Sequence, residues 1–441
     1  MKNIILDGII REGNFPNKNI VTSEDKDYHI KGGICGQRIS FKVVRRKKGK
    51  LLEILERSPL EKSKPCPHLE CGGCTYDAMT YKDELNYKKN LINKLLKSDP
   101  ITENIEIIST GIYENYRNKM EFTFGDTHKG SELALGLHKK NKFYEIVNTS
   151  DCKIAHPDFN KLREATREFF IDKPFFNRRN HKGILRHLAI RRTNFGEILV
   201  NLVTTRTDDL DLKAYVQTIL SLNLEAQVKG IVHTINDSKG DAIIKEDFEI
   251  LYGRDYVIEE LLGLKFKIGA FSFFQTNTYS AGLLYDTARK MIDSLEGKTV
   301  LDLYSGTGII SQIFAQKAKF ALGVEIVEEA VKSARENAKF NNIENVEFIC
   351  GDVANLIGDL EIKADIIILD PPRVGINNPK ALEKILDFAP EAFIYISCNP
   401  LSYLKDIEAF KNRGYKIKKI VALDQFPRTV NLELISLLVK K

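Results

Sequence analysis

The sequence predicts an α/β protein with a doubly wound parallel sheet in its C-terminal part, a small N-terminal β-barrel and a central α+β region. From about Gly263 onward, candidate strands and helices alternate, which is the order that builds parallel sheets. Residues 1–58 instead alternate apolar and polar side chains in short runs, punctuated by Gly32, Gly33 and Gly36, as is typical of a small antiparallel barrel. A chain of 441 residues also exceeds what one hydrophobic core usually serves, so several domains are expected.

We expect three domains. Residues 1–58 form the barrel, residues 59–262 contain a cysteine-rich loop and the central α+β domain, and residues 263–441 form the doubly wound domain. The first boundary falls at Ser58-Pro59-Leu60-Glu61-Lys62-Ser63-Lys64-Pro65, whose composition is that of a linker. Apolar residues at helical spacing from Tyr81 to Lys97 predict a helix just after the cysteine-rich loop.

Composition and charge indicate a globular cytoplasmic protein that contacts a polyanion. The chain is 43% hydrophobic and 29% charged, and no apolar run is long enough to span a membrane. Met1 to Gly8 turns polar too soon for a signal peptide. The net charge of +6 is concentrated in clusters that suit RNA, although solvated loops are the alternative: Arg45–Lys50, Arg178-Arg179 and Arg186–Arg192. A monomer is the default expectation.

A glycine-rich turn in the C-terminal domain predicts a nucleotide-type ligand site. The apolar run Lys298–Leu303 leads into Tyr304-Ser305-Gly306-Thr307-Gly308, where glycines allow a sharp turn and a close approach to a ligand. The next strand ends in Glu325, which can accept hydrogen bonds from ribose hydroxyls. A dinucleotide site would carry Gly-x-Gly-x-x-Gly, which is absent. The stretch Asp302–Gly308 resembles the class I methyltransferases that bind S-adenosyl-L-methionine, and Asp352, after a third strand, is then placed to meet the adenine.

A second strand end carries Asp370-Pro371-Pro372-Arg373. Ligands bind outside the carboxyl ends of parallel strands, so Asp370 is expected near the reacting groups. In amine methylases a similar motif orients an exocyclic amine without a cysteine. Methylation of an adenine or guanine amine therefore stays open at this point.

The apolar run Ala392–Ile396 ends in Ser397-Cys398-Asn399-Pro400, where a nucleophile could lie. A buried structural cysteine is the alternative. Methylation of uracil at C5 needs a thiolate that adds to C6 and a base that later removes the C5 proton. Cys398 can supply the thiolate. Glu433, just before the final apolar run, is the candidate base, and a solvated glutamate at a strand edge is the alternative.

Over nearly its whole length the chain resembles the RNA uracil-C5 methyltransferase family, and within it the iron–sulfur-containing branch that acts on 23S rRNA. The resemblance is carried by Ser272–Asn277, Asp302–Gly308, Asp370–Arg373, Ser397–Pro400, Asp424–Thr429 and Glu433. It implies that Cys398 is the nucleophile, that Glu433 is the general base and that the barrel is an OB-like, RNA-binding TRAM domain. The donor contacts that it implies are Gln275, Tyr304, Glu325, Asp352 and Asp370. Asn431 departs from the family, in which many relatives carry His there, so the environment and pKa of the base are in question.

Four cysteines predict a metal centre. Cys66, Cys71 and Cys74 lie in one short loop, and Cys152 is the plausible fourth ligand. Four thiolates suit zinc or an iron–sulfur cluster, and three clustered thiols with one distant thiol favour the cluster over paired zinc knuckles. The resemblance implies a [4Fe-4S] cluster, although many relatives have one more residue between the first two cysteines.

Three functions remain in competition. The favoured one is C5 methylation of an unstacked uridine in RNA, with 23S rRNA as the substrate and tRNA as the alternative. The second is methylation of an adenine or guanine amine, which would leave turnover of a Cys398→Ala variant largely intact. The third is a non-catalytic iron–sulfur RNA-binding protein that retains the donor fold.

Overall fold

In the computed structural model, which describes residues 4–97, 102 and 104–440, the chain begins with a closed five-stranded barrel. Alternate residues such as Ile10, Val21, Ile39 and Phe41 are fully buried inside it, because side chains of a strand point to its two faces in turn. The strands are β1 (Ile5–Glu12), β2 (Lys18–Ser23), β3 (Lys26–Lys31), β4 (Arg38–Arg45) and β5 (Lys48–Glu56), paired in the closed order β1-β2-β3-β5-β4.

A loop that carries three of the cysteines follows the barrel and leads into helix α1 (Tyr81–Leu95). Thr80 caps this helix, because its side chain accepts a hydrogen bond from the Asp83 N–H at 3.1 Å. The short strand β6 (Glu106–Ile108) comes next in the chain but pairs in parallel with a strand near the C-terminus. Residues 106–108 therefore belong to the C-terminal sheet, although they precede the central domain.

The central region is a seven-stranded mixed sheet with two helices packed on it. Its order is β13-β12-β11-β10-β7-β8-β9, and its apolar core includes Phe122, Phe159 and Leu202. The elements are β7 (Lys119–Asp126), β8 (Leu133–Lys139), β9 (Lys142–Val147), α2 (Pro157–Phe169), β10 (Leu185–Arg192), β11 (Glu197–Thr204), α3 (Leu212–Leu220), β12 (Gln227–Ile235) and β13 (Asp247–Gly253).

The C-terminal region is a doubly wound sheet, as the alternation of strands and helices predicts. A hairpin of β14 (Tyr256–Leu261) and β15 (Leu264–Gly269) precedes it. Its elements are α4 (Thr278–Lys290), β16 (Thr299–Leu303), α5 (Ile309–Ala315), β17 (Phe320–Glu325), α6 (Glu328–Phe340), β18 (Val346–Cys350), α7 (Val353–Leu356), β19 (Ile366–Leu369), α8 (Pro379–Asp387), β20 (Ala392–Ser397), α9 (Pro400–Asn412), β21 (Tyr415–Leu423) and β22 (Glu433–Lys440).

This sheet brings distant parts of the sequence together at one end of its strands. Its strand order is β18-β17-β16-β19-β20-β22-β21-β6. Strands β16, β17, β18, β19 and β20 are parallel, whereas β22 runs antiparallel to β20. Ser397 at the end of β20 pairs with Leu434 near the start of β22. Cys398 follows Ser397 and Glu433 precedes Leu434, so both residues lie at the end of the sheet that is formed by the carboxyl ends of the parallel strands. No helix in the part of the chain described above is long and apolar enough to cross a membrane.

Candidate active site

A cavity of about 1070 Å³ opens at the carboxyl ends of the parallel strands of the C-terminal sheet. Ligand sites of open α/β sheets lie at this position. Six of the seven residues predicted to be catalytic or to contact the donor line it: Gln275, Tyr304, Glu325, Asp370, Cys398 and Glu433. The topology thus gathers into one cavity the residues that the sequence spreads over about 160 positions.

The glycine-rich turn after β16 forms one wall of the cavity. Tyr304, Gly306 and Gly308 all have positive φ, at 67°, 54° and 71°. A Cβ on Gly308 would lie 2.5 Å from the ring of Phe348, so only glycine fits there. The Gly306 N–H donates to Oε2 of Glu325 at 3.0 Å, which fixes the carboxylate against the turn.

This wall fits the nucleoside of S-adenosylmethionine. Among the described residues, the Glu325 carboxylate accepts hydrogen bonds only from the backbone N–H groups of Gly306 and, at 2.9 Å, of Val327. Each oxygen retains capacity for a ribose hydroxyl. The Ser305 Oγ atom is buried and has no hydrogen-bond partner among the described residues, although it borders the cavity. A buried polar atom of this kind indicates that a ligand or water completes the site.

Asp352 is not among the residues that line the cavity. Its carboxylate caps α7 by accepting the Ala354 N–H at 2.7 Å, and the residue is exposed. It lies close enough to Tyr304 that its charge adds to the effect of burial, which raises the pKa of that phenol to about 12. Contact between Asp352 and an adenine stays a prediction.

The cavity is also lined by a thiol, Cys398, that lies near two carboxyl groups, Glu433 and Asp370. Burial, the charge of Glu433 and the charge of Asp370 raise the pKa of Cys398 to about 11, and the Arg373 guanidinium opposes them. Burial raises the pKa of Glu433 well above its usual range, with a further contribution from Asp370, and Arg373 again opposes. Burial alone raises the pKa of Asp370 to about 7. At neutral pH the free protein therefore holds a protonated thiol near Glu433, whose carboxyl group can exchange a proton with a bound ring.

Aromatic and cationic side chains form the rim of the cavity. Phe273 is 67% exposed and Phe271 is 41% exposed. The Lys245 Nζ atom lies 5.2 Å from the ring centre of Phe248 and 5.6 Å from that of Phe271. The arrangement suits a flat, anionic ligand. No sequence motif indicates Lys245 and Phe248, because they lie in a loop and a strand of the central region, far from every motif.

Segment 424–433, which leads into Glu433, rests on a buried cluster of four charges. The Lys88 ammonium donates to Glu84 Oε1 and to Asp424 Oδ1, both at 2.7 Å. The Arg428 backbone N–H donates to Glu84 Oε1 at 2.6 Å, and its guanidinium reaches Oε2 at 3.2 Å. No sequence pattern predicts this cluster, because Glu84 and Lys88 are four residues apart on a helix, a spacing that is also typical of surface pairs.

The backbone carbonyls of the same segment are held by three other parts of the chain. The N–H groups of Thr75 and Tyr76 donate to the Arg428 carbonyl at 2.7 and 3.0 Å. The Tyr116 hydroxyl donates to the Pro427 carbonyl at 2.9 Å, and the Asn277 side chain donates to that of Gln425 at 2.9 Å. The loop that contains the cysteines thus touches the segment that leads to Glu433.

The four predicted metal ligands lie in one neighbourhood. Burial raises the pKa of the Cys74 thiol, and the charges of Cys152, Cys71 and Cys66 raise it further. Burial likewise raises the pKa of Cys152, with smaller contributions from Cys71 and Cys66. No group of three or more His, Cys, Asp or Glu side chains within residues 4–97, 102 and 104–440 is arranged to hold a metal ion. The four thiols are therefore neighbours without a ligating geometry, and the cluster stays a prediction.

Comparison with known proteins assigns the chain to a family. A sequence profile described as tRNA (uracil-5-)-methyltransferase matches residues 80–441. The chain belongs to this family. It is 46% identical to an uncharacterized RNA methyltransferase of Caldanaerobacter subterraneus, over 98% of both chains, and 44% identical to one of Clostridium tetani, over 96% of this chain and 95% of that one.

The fold agrees with this assignment. The structure of the Pyrococcus abyssi tRNA (uracil-54, C5)-methyltransferase in complex with S-adenosyl-L-homocysteine has a TM-score of 0.78 with the chain, at 25% identity. The likeness covers 98% of this chain and 100% of that one. The protein is thus an S-adenosylmethionine-dependent RNA methyltransferase of the uracil-C5 class. This result favours the first of the three hypotheses over amine methylation and over a non-catalytic RNA-binding role.

Proposed function

We propose that the protein methylates C5 of a uridine in 23S rRNA, with Cys398 as the nucleophile and Glu433 as the general base. The observation that carries the proposal is the antiparallel pairing of β20 with β22. It puts a thiol and a buried carboxyl at the same end of two neighbouring strands, inside the cavity that contains the glycine-rich turn.

The reaction begins at the thiol. The Cys398 thiolate forms a bond to C6 of the uracil, and the electron pair of the C5–C6 double bond makes C5 nucleophilic. S-adenosylmethionine supplies an electrophilic methyl group on a positively charged sulfur. C5 forms a bond to this methyl carbon while the methyl–sulfur bond breaks, and neutral S-adenosyl-L-homocysteine is left. Gln275, Tyr304, Glu325 and Asp370 hold this donor, and Asp352 is the expected adenine contact.

The reaction ends at the carboxylate. Once C5 carries the methyl group, Glu433 takes the C5 proton, the C6–S bond breaks and the thiolate leaves. Overall, a methyl group replaces the C5 hydrogen and one proton is released. The apolar surroundings that raise the pKa of Glu433 make its ionised form a strong base. Asn431 lines the same cavity and provides an amide where an imidazole is common in relatives.

The substrate assignment rests on the cysteine-rich loop and on the resemblance to the 23S rRNA branch. tRNA is the second candidate, and the fold likeness to the Pyrococcus abyssi tRNA (uracil-54, C5)-methyltransferase favours it. In either case the N-terminal barrel acts as a TRAM-type module that binds RNA outside the cavity.

For the metal centre we infer that Cys66, Cys71, Cys74 and Cys152 hold a [4Fe-4S] cluster, with zinc as the alternative. Anaerobically purified protein should contain iron and sulfide, and Cys152→Ser should lose them. Cys350→Ser is the matched control, because Cys350 is an exposed free cysteine outside the group. Stoichiometric zinc without sulfide would contradict the cluster and support a zinc site.

Covalent trapping tests the reaction and the substrate together. The protein and S-adenosylmethionine are incubated with 5-fluorouridine-substituted fragments of 23S rRNA or with substituted tRNA. Fluorine at C5 cannot leave as a proton, so an SDS-stable adduct should persist with rRNA. It should disappear in Cys398→Ala and remain in Cys350→Ala. An adduct with tRNA alone would move the substrate to tRNA. Methyl transfer to ordinary RNA without any adduct would exclude the thiolate route.

A further inference from the structure

A partly exposed group of aromatic and basic side chains lies outside the cavity, on and beside the hairpin of β8 and β9. We call it the hairpin platform: His138, Phe143 and Tyr144 of the hairpin with Arg178 and Arg179 of the segment before β10. Phe143 and Tyr144 are 52% and 46% exposed. The Arg178 guanidinium lies 4.9 Å from the ring centre of Phe143, and that of Arg179 lies 4.5 Å from that of Tyr144.

The inner half of the platform is fixed before any ligand arrives. The His138 ring stacks on Phe143 with ring centres 5.0 Å apart and planes inclined by 3°. Asp241 contacts both neighbours of the Phe143 ring, with the Arg178 guanidinium at 2.7 Å and the His138 Nε2 atom at 3.0 Å. Tyr144 and Arg179 are the outer half and present an aromatic ring and an exposed guanidinium. Such a preorganised surface loses little entropy when it binds.

The charge around the platform suits a polyanion. Segments 138–145 and 178–182 contain six Lys or Arg residues and one acidic residue, Glu145. Two acidic groups of other segments, Asp241 and Glu70, pair with Arg178 and Lys139, so six basic groups face three acidic ones. The six basic residues are Lys139, Lys140, Lys142, Arg178, Arg179 and Lys182. Aromatic rings and guanidinium planes that are framed by positive charge are the groups on which proteins stack unpaired RNA bases.

One structured loop connects the platform to the cavity. Loop 236–246 contacts the platform through Asp241 and reaches the rim of the cavity through Lys245. The Arg186 guanidinium holds this loop by donating to the carbonyls of Asn236 at 3.0 Å and Ser238 at 2.6 Å, and also to that of Gly240. Asp241 and Lys245 are four residues apart, so their Cα atoms are at most about 14 Å apart, and the residue that contacts the platform lies close to the rim of the cavity.

We infer that the hairpin platform binds an unpaired base of the substrate RNA that flanks the target uridine, by stacking on Tyr144 and Arg179. The strand then passes Lys245, Phe248 and Phe271 before it enters the cavity. The inference rests on the proposed function, since it deepens the substrate contacts of the same site. It specifies a single-stranded flank as the ligand, because a paired base would offer no free face to the platform.

Measurements of the Kd of the whole protein for RNA test the inference about the hairpin platform. The probe is the 23S rRNA fragment or tRNA transcript that gives the 5-fluorouridine adduct, made with natural uridine. Tyr144→Ala and Arg179→Ala should each raise its Kd roughly 5- to 150-fold, the range for loss of one stacked base. Turnover at saturating RNA should stay unchanged, because neither residue lines the cavity. Tyr144→Phe should bind as the wild type does.

Phe195→Ala is the matched control. Phe195 is 45% exposed, and the Lys265 ammonium lies 5.0 Å from its ring centre, so it is a similar cation–aromatic pair. Arg186 lies near the start of β10, and Phe195 follows the end of this strand. The strand has eight residues and spans roughly 26 Å. The replacement of Phe195 should leave the Kd unchanged. A loss as large as that of Tyr144→Ala would overturn the inference, because it would mark a general effect of removing surface rings.

A trimmed RNA separates the remaining outcomes. With a fragment that retains the target uridine but lacks its flanks, the wild type and Tyr144→Ala should bind equally. Two results would overturn the platform and leave the proposed function intact. The first is a difference in Kd between the wild type and Tyr144→Ala that persists with the trimmed fragment, and the second is an equal Kd of both proteins for the full-length probe. If the wild type forms no adduct with any RNA, the proposed function itself fails.

Discussion

The thiol of Cys398 is held protonated by its surroundings, and this makes a pH prediction. With a pKa of about 11, its thiolate fraction should rise tenfold per pH unit through the neutral and mildly alkaline range. Glu433→Gln should speed alkylation at a given pH, because it removes a negative charge that raises the pKa. Arg373→Gln should slow it. The measurement is the iodoacetamide rate of the Cys398 peptide by mass spectrometry, normalised to the Cys350 peptide. Equal rates in the wild type and both variants would contradict this electrostatic account.

The carboxyl of Glu433 is needed only after the methyl group has reached C5. A Glu433→Gln variant should therefore complete the first bond formation and the methyl transfer, but fail to release the product. We expect an SDS-stable adduct with ordinary uridine RNA that carries a radiolabelled methyl group. The wild type should show none at the same time point. Release of methylated RNA by the variant at the wild-type rate would exclude Glu433 as the base.

At the scale of residues, the sequence predicted the wall residues that follow strand ends and missed those that come from elsewhere. Asp370 and Cys398 follow apolar runs, so their meeting at one edge of a parallel sheet could be foreseen. Asp352 also follows a strand, but α7 starts there and uses its carboxylate as a cap. Lys245 reaches the rim through the tertiary packing of another sheet, which no local pattern encodes.

At the scale of elements, helix α1 was predicted from the sequence, but the burial of two of its charged residues was not. Its apolar spacing predicted the helix, whose observed span is Tyr81–Leu95. The same spacing could not show that Glu84 and Lys88 are buried, because the partner of Lys88, Asp424, lies 336 positions away. Strand β6 is similar, since only its pairing with β21 defines it. Contacts of this range depend on the complete topology.

The buried charges of α1 give a prediction about stability. Lys88→Met should leave the carboxylates of Glu84 and Asp424 buried without their shared cation, at a cost of about 3–5 kcal/mol. The control is Lys94→Met on the same helix, whose half-exposed pair with Glu12 contributes about 1 kcal/mol or less. Urea denaturation should show a large shift of the midpoint for the first variant and a small one for the second. Equal shifts would mean that the cluster does not anchor segment 424–433.

At the scale of the whole molecule, the cysteine-rich loop contacts both segment 424–433 and the β8–β9 hairpin. On one side Thr75 and Tyr76 hold the Arg428 carbonyl of segment 424–433. On the other side Glu70 accepts the Lys140 N–H at 2.7 Å, and its carboxylate pairs with Lys139 at 2.6 Å, both at the tip of the β8–β9 hairpin. The loop therefore touches both the approach to the base and the hairpin that carries the platform.

Residues 66–74 contain no helix or strand, and a few hydrogen bonds hold them, such as that from the Cys66 N–H to Asp77 at 2.6 Å. A metal that cross-links their side chains would therefore add order to this loop. If Cys74 is a ligand of a cluster, Cys74→Ser should loosen the loop and both of its contacts. Amide hydrogen exchange should then rise in residues 66–76, at the hairpin tip 139–142 and in segment 424–433 together. Cys350→Ser should leave all three unchanged. A rise confined to residues 66–76 would show that the loop is ordered independently of its neighbours, and the metal centre would then have no mechanical connection to the base or to the platform.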